Sequence, residues 1–135
     1  LGKPHEAVGE LLRALELDPR QPELLGDLGY ALVLDRQCEE AAKVLAQARA
    51  ANPRNPSTLT HLGDALACSG RTDEAIEAYR ASLAIEPQQA RALFHLGLML
   101  GKKGEMPAAR QVLRSAAMLD PDNARIKEAL ERLSR

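Results

Sequence analysis

Rings and sulfur are scarce in this chain. Tryptophan is absent, aromatic residues make up 2% of the sequence, and there are two cysteines. Two thiols are too few for a disulfide framework, and with no CxxC pair or Cys/His cluster they do not form a zinc site. A reducing, cytoplasmic setting is therefore the default. A strong charge of either sign is also missing: 18 Lys/Arg stand against 19 Asp/Glu, a formal net of -1. That balance argues against a nucleic-acid backbone or an anionic membrane as the main partner. No apolar run approaches the roughly 20 residues needed to cross a bilayer. The first residues, LGKPHEAVGE, have neither the basic start nor the apolar middle of a signal peptide, and the chain does not begin with Met, so a piece of a longer protein is expected.

The sequence has instead a period. HLG at His61-Leu62-Gly63 returns at His95-Leu96-Gly97, 34 residues on, and DLG at Asp27-Leu28-Gly29 aligns with both. Three whole units follow, 22–55, 56–89 and 90–123, with half a unit at 1–21 and a helical stretch at 124–135. In each unit one stripe is carried by Leu25, Leu59 and Leu93, Leu28, Leu62 and Leu96, Gly29, Gly63 and Gly97, and Leu32, Leu66 and Leu100. A second stripe runs through Ala41, Ala75 and Ala109, Leu45, Tyr79 and Leu113, and Ala48, Ser82 and Ala116, and Pro53, Pro87 and Pro121 close it. Spacings of three and four are helical, so each unit is predicted to be a helical hairpin.

The pattern L-x2-LG-x2-L, then A-x3-[LY]-x2-[AS], then P, resembles the tetratricopeptide repeat, whose 34-residue unit reads W-x2-LG-x2-Y, A-x3-F, P. Leucine fills most slots where that family has a ring, which accounts for the low aromatic content. The resemblance covers the whole chain and implies an all-α solenoid, a right-handed superhelix of tandem hairpins, with 124–135 as a capping helix. Glycine and alanine recur where helices cross, because small side chains let backbones approach closely. Asn55, before Pro56, and Asn123 are predicted helix N-caps. Gly70 and Gly104 mark the turn inside the hairpin, but the first unit has Arg36 there, so that turn is expected to be strained or differently shaped. A helix is predicted over 5–17. Without its hairpin partner, the apolar residues Val8, Leu11, Leu12 and Leu15 cannot all be covered, and self-association through that open face is expected.

The resemblance also places a ligand groove on the concave side, lined by the first helix of each unit. The candidate residues are Glu23, Asp27, Tyr30 and Leu34; Ser57, Thr60, His61, Asp64 and Cys68; Arg91, Phe94, His95, Leu98 and Lys102; and Arg125. His61 and His95 hold equivalent places on successive helices and form a ladder, too widely spaced for one metal ion. They are read either as hydrogen-bonding groups for a peptide backbone or as solvated side chains. His61, Asp64 and Cys68 share one helical face, but about 10.5 Å of axis separates the first from the last, too far for a base and its nucleophile. Cys38 and Cys68 fall at the same end of adjacent helices; two separate thiols are the favoured reading over a disulfide.

Some members of this family grip an acidic C-terminal tail with a Lys/Asn/Arg clamp. The matching places here hold Gly26, Tyr30, His61, Arg91 and His95, of which Arg91 alone has the right chemistry, so that clamp is absent. Residues 1–89 carry nine Lys/Arg and fourteen Asp/Glu, while 90–135 carry nine and five. A ligand of mixed charge, acidic toward the C-terminal units, follows. The expected function is a protein-interaction scaffold that binds a peptide or partner protein. The competing readings are a substrate-positioning arm of a larger enzyme, such as a glycosyltransferase or sulfotransferase, and a self-assembly module. No nucleophile-base pair, phosphate loop or metal set is present, so neither catalysis nor a cofactor is expected.

Overall fold

The computed structural model describes residues 2–19 and 21–134, and every regular element among them is an α-helix. The helices are α1 (Lys3–Leu17), α2 (Pro22–Leu34), α3 (Cys38–Ala51), α4 (Pro56–Cys68), α5 (Thr72–Ile85), α6 (Ala90–Lys102), α7 (Met106–Leu119) and α8 (Ala124–Leu133). Leu1, expected at the tail of a preceding helix, Arg20 and Arg135 lie outside the described residues. The first helix starts at Lys3 rather than residue 5, with Pro4 in its first turn, where a missing N–H costs nothing. Contacts run between consecutive helices and between α2, α4, α6 and α8 in succession, the layout of a stack in which neighbours alone hold each unit.

The two stripes meet at the helix crossings. Leu28, Leu62 and Leu96 are buried, as are Ala41, Ala75 and Ala109, and Leu45, Tyr79 and Leu113 stand opposite the three glycines. A Cβ added to Gly63 would lie 2.6 Å from the Tyr79 ring, and one on Gly97 would lie 2.6 Å from Leu113 Cγ. One on Gly29 would run into Leu45 in the same way. Any side chain larger than hydrogen would push these helices apart, which is why glycine holds this place in every unit.

Helix ends follow from local chemistry. Asn55 Oδ1 accepts from the backbone N–H groups of Ser57 at 3.0 Å and Thr58 at 3.4 Å, and Asn123 Oδ1 does the same for Arg125 and Ile126. All three inner turns close alike: Gln37 N–H reaches Leu32 O at 2.8 Å, Arg71 N–H reaches Leu66 O at 2.9 Å, and Glu105 N–H reaches Leu100 O at 2.9 Å. Each places its turn residue in the left-handed region, Arg36 at φ 66°, Gly70 at 79° and Gly104 at 88°. The first turn is therefore the same shape as the others, and its strain is concentrated in the backbone of Arg36.

At the N-terminal end α2 covers Val8 fully and Leu11 and Leu15 in part, while Leu12 and Leu17 stay exposed. At the other end α8 buries Ile126 and Ala129 against α6 and α7 and turns Lys127, Glu128, Glu131 and Arg132 to solvent.

One expectation is overturned. Cys38 and Cys68 are not separate thiols: they form a disulfide joining the start of α3 to the end of α4. The antiparallel run of the two helices brings those ends to a Cα–Cα separation of 5.9 Å, within bonding range.

Candidate functional site

The first helices α2, α4 and α6 line one face, and their side chains there are more closely interlocked than a solvated surface requires. The Tyr30 ring stacks on His61 with centroids 4.3 Å apart. The Arg91 guanidinium lies 5.7 Å from the Tyr30 ring centre and pairs with Asp64. Asp64 also accepts the Tyr79 hydroxyl at 2.6 Å. His95 lies over Tyr79 on the other side, centroids 6.2 Å apart, and meets Phe94 at 5.2 Å.

Tyr79 enters this face from behind. It belongs to the second helix of its unit, and its ring passes beneath α4 because Gly63 has no side chain. Its hydroxyl then emerges beside Asp64. Burial holds the Tyr79 phenol far above its ordinary pKa, so it remains a donor. Burial likewise pushes both histidines below the usual imidazole value; Arg91 adds to the effect at His61, where Asp64 and Asp27 oppose it. Both rings are accordingly neutral at neutral pH, each able to donate from one nitrogen and accept at the other.

Tyr30, Val33, Leu34, Ala67, Cys68 and Arg91 wall a trough of about 460 Å³ closed below by Asp64, Tyr79 and His95. Its apolar side is Leu34, 51% exposed, with Val33 and Ala67. Its polar side is Arg91, whose side chain is 47% exposed while its partner Asp64 is 8% exposed. The carboxylate is thus committed to the protein, whereas the guanidinium keeps a solvent-facing side.

The residues expected in the groove divide. Tyr30, Leu34, Asp64, Cys68, Arg91 and His95 come together in the trough. Glu23, Asp27, Ser57 and His61 line a smaller hollow of about 150 Å³ beside it. Phe94, Leu98 and Arg125 line a third, where the Arg125 guanidinium lies 5.0 Å from the Phe94 ring centre. Lys102 is exposed at the end of α6. Thr60, expected on the open face, is buried between helices, and Phe94 is largely buried beneath Arg125 with one edge on the third hollow. Thr60 Oγ1 lies 2.7 Å from Ser82 Oγ and 3.0 Å from Gln89 Oε1. The Ser82 hydroxyl also sits 2.7 Å from the Pro56 carbonyl oxygen and receives Gln89 Nε2–H at 3.0 Å. Serine in an alanine slot and threonine on the facing helix are therefore two halves of one hydrogen-bonded knot.

Sequence reasoning did not place Tyr79 at this face or Gln89 in the knot behind it. Tyr79 carries a signal, since it is the ring in a slot that holds leucine in the other two units. Gln89 carries none. Among the described residues no group of His, Cys, Asp and Glu is arranged to hold a metal ion, and no helix is long and apolar enough to cross a membrane.

The stack of hairpins and its lined inner face define the class: a helical-repeat solenoid. The tetratricopeptide repeat family matches residues 1–56, 35–90 and 60–124, and the chain belongs to that family. No curated protein sequence matches it. Among solved structures it is similar to MamA, with 21% identity over 98% of this chain and 77% of that one and a TM-score of 0.89. It is also similar to the Yersinia enterocolitica type III secretion chaperone SycD in complex with a peptide of the translocator YopD, at 24% identity, 83% and 91% coverage and a TM-score of 0.76. A third similar structure is the first repeat domain of Spaghetti (RPAP3) bound to an HSP90 peptide, at 18% identity, 87% and 93% coverage and a TM-score of 0.82.

Proposed function

We propose that this chain is a protein-interaction scaffold whose inner trough binds a peptide segment of a partner. The observation that carries the reading is the pairing of an apolar wall, Leu34, Val33 and Ala67, with a half-exposed Arg91 held rigid between Asp64 and the Tyr30 ring. Such a site suits an apolar side chain with a carboxylate close by: the first is removed from water, and the second takes the free side of the guanidinium. The neutral His95 in the trough and His61 in the hollow beside it offer hydrogen bonds to a peptide backbone, and Arg125 adds positive charge over Phe94 next to His95. Peptides bound to SycD and to RPAP3 support the reading by likeness of fold. Both cysteines are engaged with each other.

The test is a peptide selection against the immobilised chain from a random library. Recovered peptides should combine an apolar residue with an acidic one and lose about tenfold or more in affinity on Leu34→Glu or Arg91→Ala, roughly 1.4 kcal/mol or above. A change on the opposite surface, Glu77→Lys, should leave binding intact. Peptides that bind wild type, Leu34→Glu and Arg91→Ala equally would remove the trough from consideration.

A further inference from the structure

The Cys38–Cys68 disulfide is not something the stack of hairpins requires. One period on, Thr72 and Lys102 fill the same two places, the first residue of α5 and the last residue of α6. Those two helices pack on each other without a covalent link, and an exposed Asp73–Lys103 ion pair at 2.8 Å joins their ends. The bond between α3 and α4 is therefore an addition at one junction of a repeating fold, and its position shows what it acts on.

It stands at the trough. Cys68 is exposed and lines the trough beside Ala67 at the end of α4, and Val33 and Leu34, the rest of the apolar wall, are the end of α2. Cys38 begins α3 directly after the turn that follows Leu34, so the disulfide stitches together the two helix ends that form the wall. That turn is also the one without glycine: Arg36 is held at φ 66°, where Gly70 and Gly104 stand in the other units. A side chain disfavours this backbone region by a factor of about five or more. The turn hydrogen bonds of the three units are alike, so the first turn has a reason to relax that the others lack. It alone is followed by a covalent anchor.

We infer that the disulfide is a redox latch on the trough: closed, it fixes Val33 and Leu34 against Ala67 for an apolar peptide side chain, and a dithiol reductant that opens it weakens peptide binding. The inference rests on the trough being the binding site. In the opening step a thiolate of the dithiol bonds to Cys68 Sγ, the sulfur that lines the trough, and Cys38 leaves as a thiolate and takes up a proton. The second thiolate of the reductant then bonds to its first sulfur and expels Cys68, which is protonated in turn. Two electrons have passed from the dithiol, now a cyclic disulfide, to the two cysteines.

The probe is a labelled, cysteine-free peptide from the library selection whose binding needs Arg91, titrated by fluorescence anisotropy into the full chain, oxidised or reduced with dithiothreitol. Circular dichroism should show the helices intact after reduction, as they are at the unlinked junction of α5 and α6. The reduced chain should bind about fivefold more weakly or worse, and a Cys38→Ser/Cys68→Ser chain should match it without reductant. Arg36→Gly ends the strain at a residue that does not line the trough, and should keep the reduced chain within about twofold of the oxidised one. Linkage requires the converse: saturating peptide should raise, by the factor seen in affinity, the ratio of reduced to oxidised dithiothreitol at which half of the chain is opened. Equal affinity of an Arg91-dependent peptide for the two states, or a midpoint that the peptide leaves unmoved, would overturn the latch and leave the trough standing. Loss of the helical signal on reduction would assign the bond to folding and overturn the latch as well. If no recovered peptide needs Arg91, the trough falls, and the latch with it.

Discussion

Replacing Gly63 by alanine tests whether the crossings are as tight as the geometry requires. The added methyl carbon would stand 2.6, 2.7 and 2.9 Å from three atoms of the Tyr79 ring. Tyr79 is 1% exposed and its hydroxyl is fixed to Asp64 at 2.6 Å, so the ring cannot turn aside without giving up that bond. Overpacking of this kind costs about 1–3 kcal/mol. Loss of a hydrogen bond to a charged acceptor adds about 1.5–3 kcal/mol where the ring does move. Against these stands the better helix propensity of alanine, roughly 1 kcal/mol. With the ring displaced, a net destabilisation of about 1.5–5 kcal/mol follows, or roughly 4 °C in melting temperature for each kcal/mol in a domain this size. Gly97→Ala meets Leu113, which has no hydroxyl to hold it, and should cost about 1.5–3 kcal/mol less. The assay is urea unfolding followed by circular dichroism, with Tyr79→Phe completing a double-mutant cycle. The phenylalanine ring is free to shift, so the two changes together should cost less than their sum. A Gly63→Ala protein as stable as wild type, or more so, would refute the packing argument.

Further outcomes follow from single features. Arg36→Gly removes a left-handed strain and should stabilise the fold by about 0.5–1 kcal/mol, while Gly70→Ala and Gly104→Ala, where a methyl meets nothing but the backbone prefers glycine, should each cost about 1 kcal/mol. Reduction of the Cys38–Cys68 disulfide, which spans 30 residues, should lower unfolding free energy by about 3–4 kcal/mol, measured in urea with and without reductant. Asn55→Ala removes a cap serving two N–H groups and should cost about 1 kcal/mol in the same assay. His61 and His95 have folded-state pKa values below the ordinary 6.5, so below that pH the unfolded chain binds more protons than the folded one. Their contribution should be complete above 6.5 and be lost as pH falls through 6.5 toward the depressed folded values, and His95→Gln should flatten that loss in a melting-temperature series.

The repeat was legible because its physics is periodic: a leucine stripe, a glycine at each crossing and a proline after each hairpin recur every 34 residues, and each maps onto a helix or a turn. The caps at Asn55 and Asn123 were legible because one side chain three residues from a donor suffices. The groove was legible as a set of helix positions but not as a site. Helical spacing assigns Thr60 and Phe94 to the same face as His61, and whether they end in water depends on how closely α5 and α8 approach, which no single-helix pattern encodes. The same holds for Tyr79, whose hydroxyl reaches Asp64 through a gap left by a glycine on another helix. The disulfide was open for a related reason. Spacing placed Cys38 and Cys68 at the same end of neighbouring helices, but the Cα–Cα separation of 5.9 Å that permits a bond is set by how the two helices pack.

The most direct test of the peptide-binding account is amide chemical-shift mapping of the full chain with the best peptide from the library selection. The account predicts the largest shifts at Tyr30, Leu34, Ala67, Arg91 and His95, with loss of the effect in Arg91→Ala. Shifts concentrated instead on the opposite surface, at Ala46, Glu74 and Glu77, would contradict it.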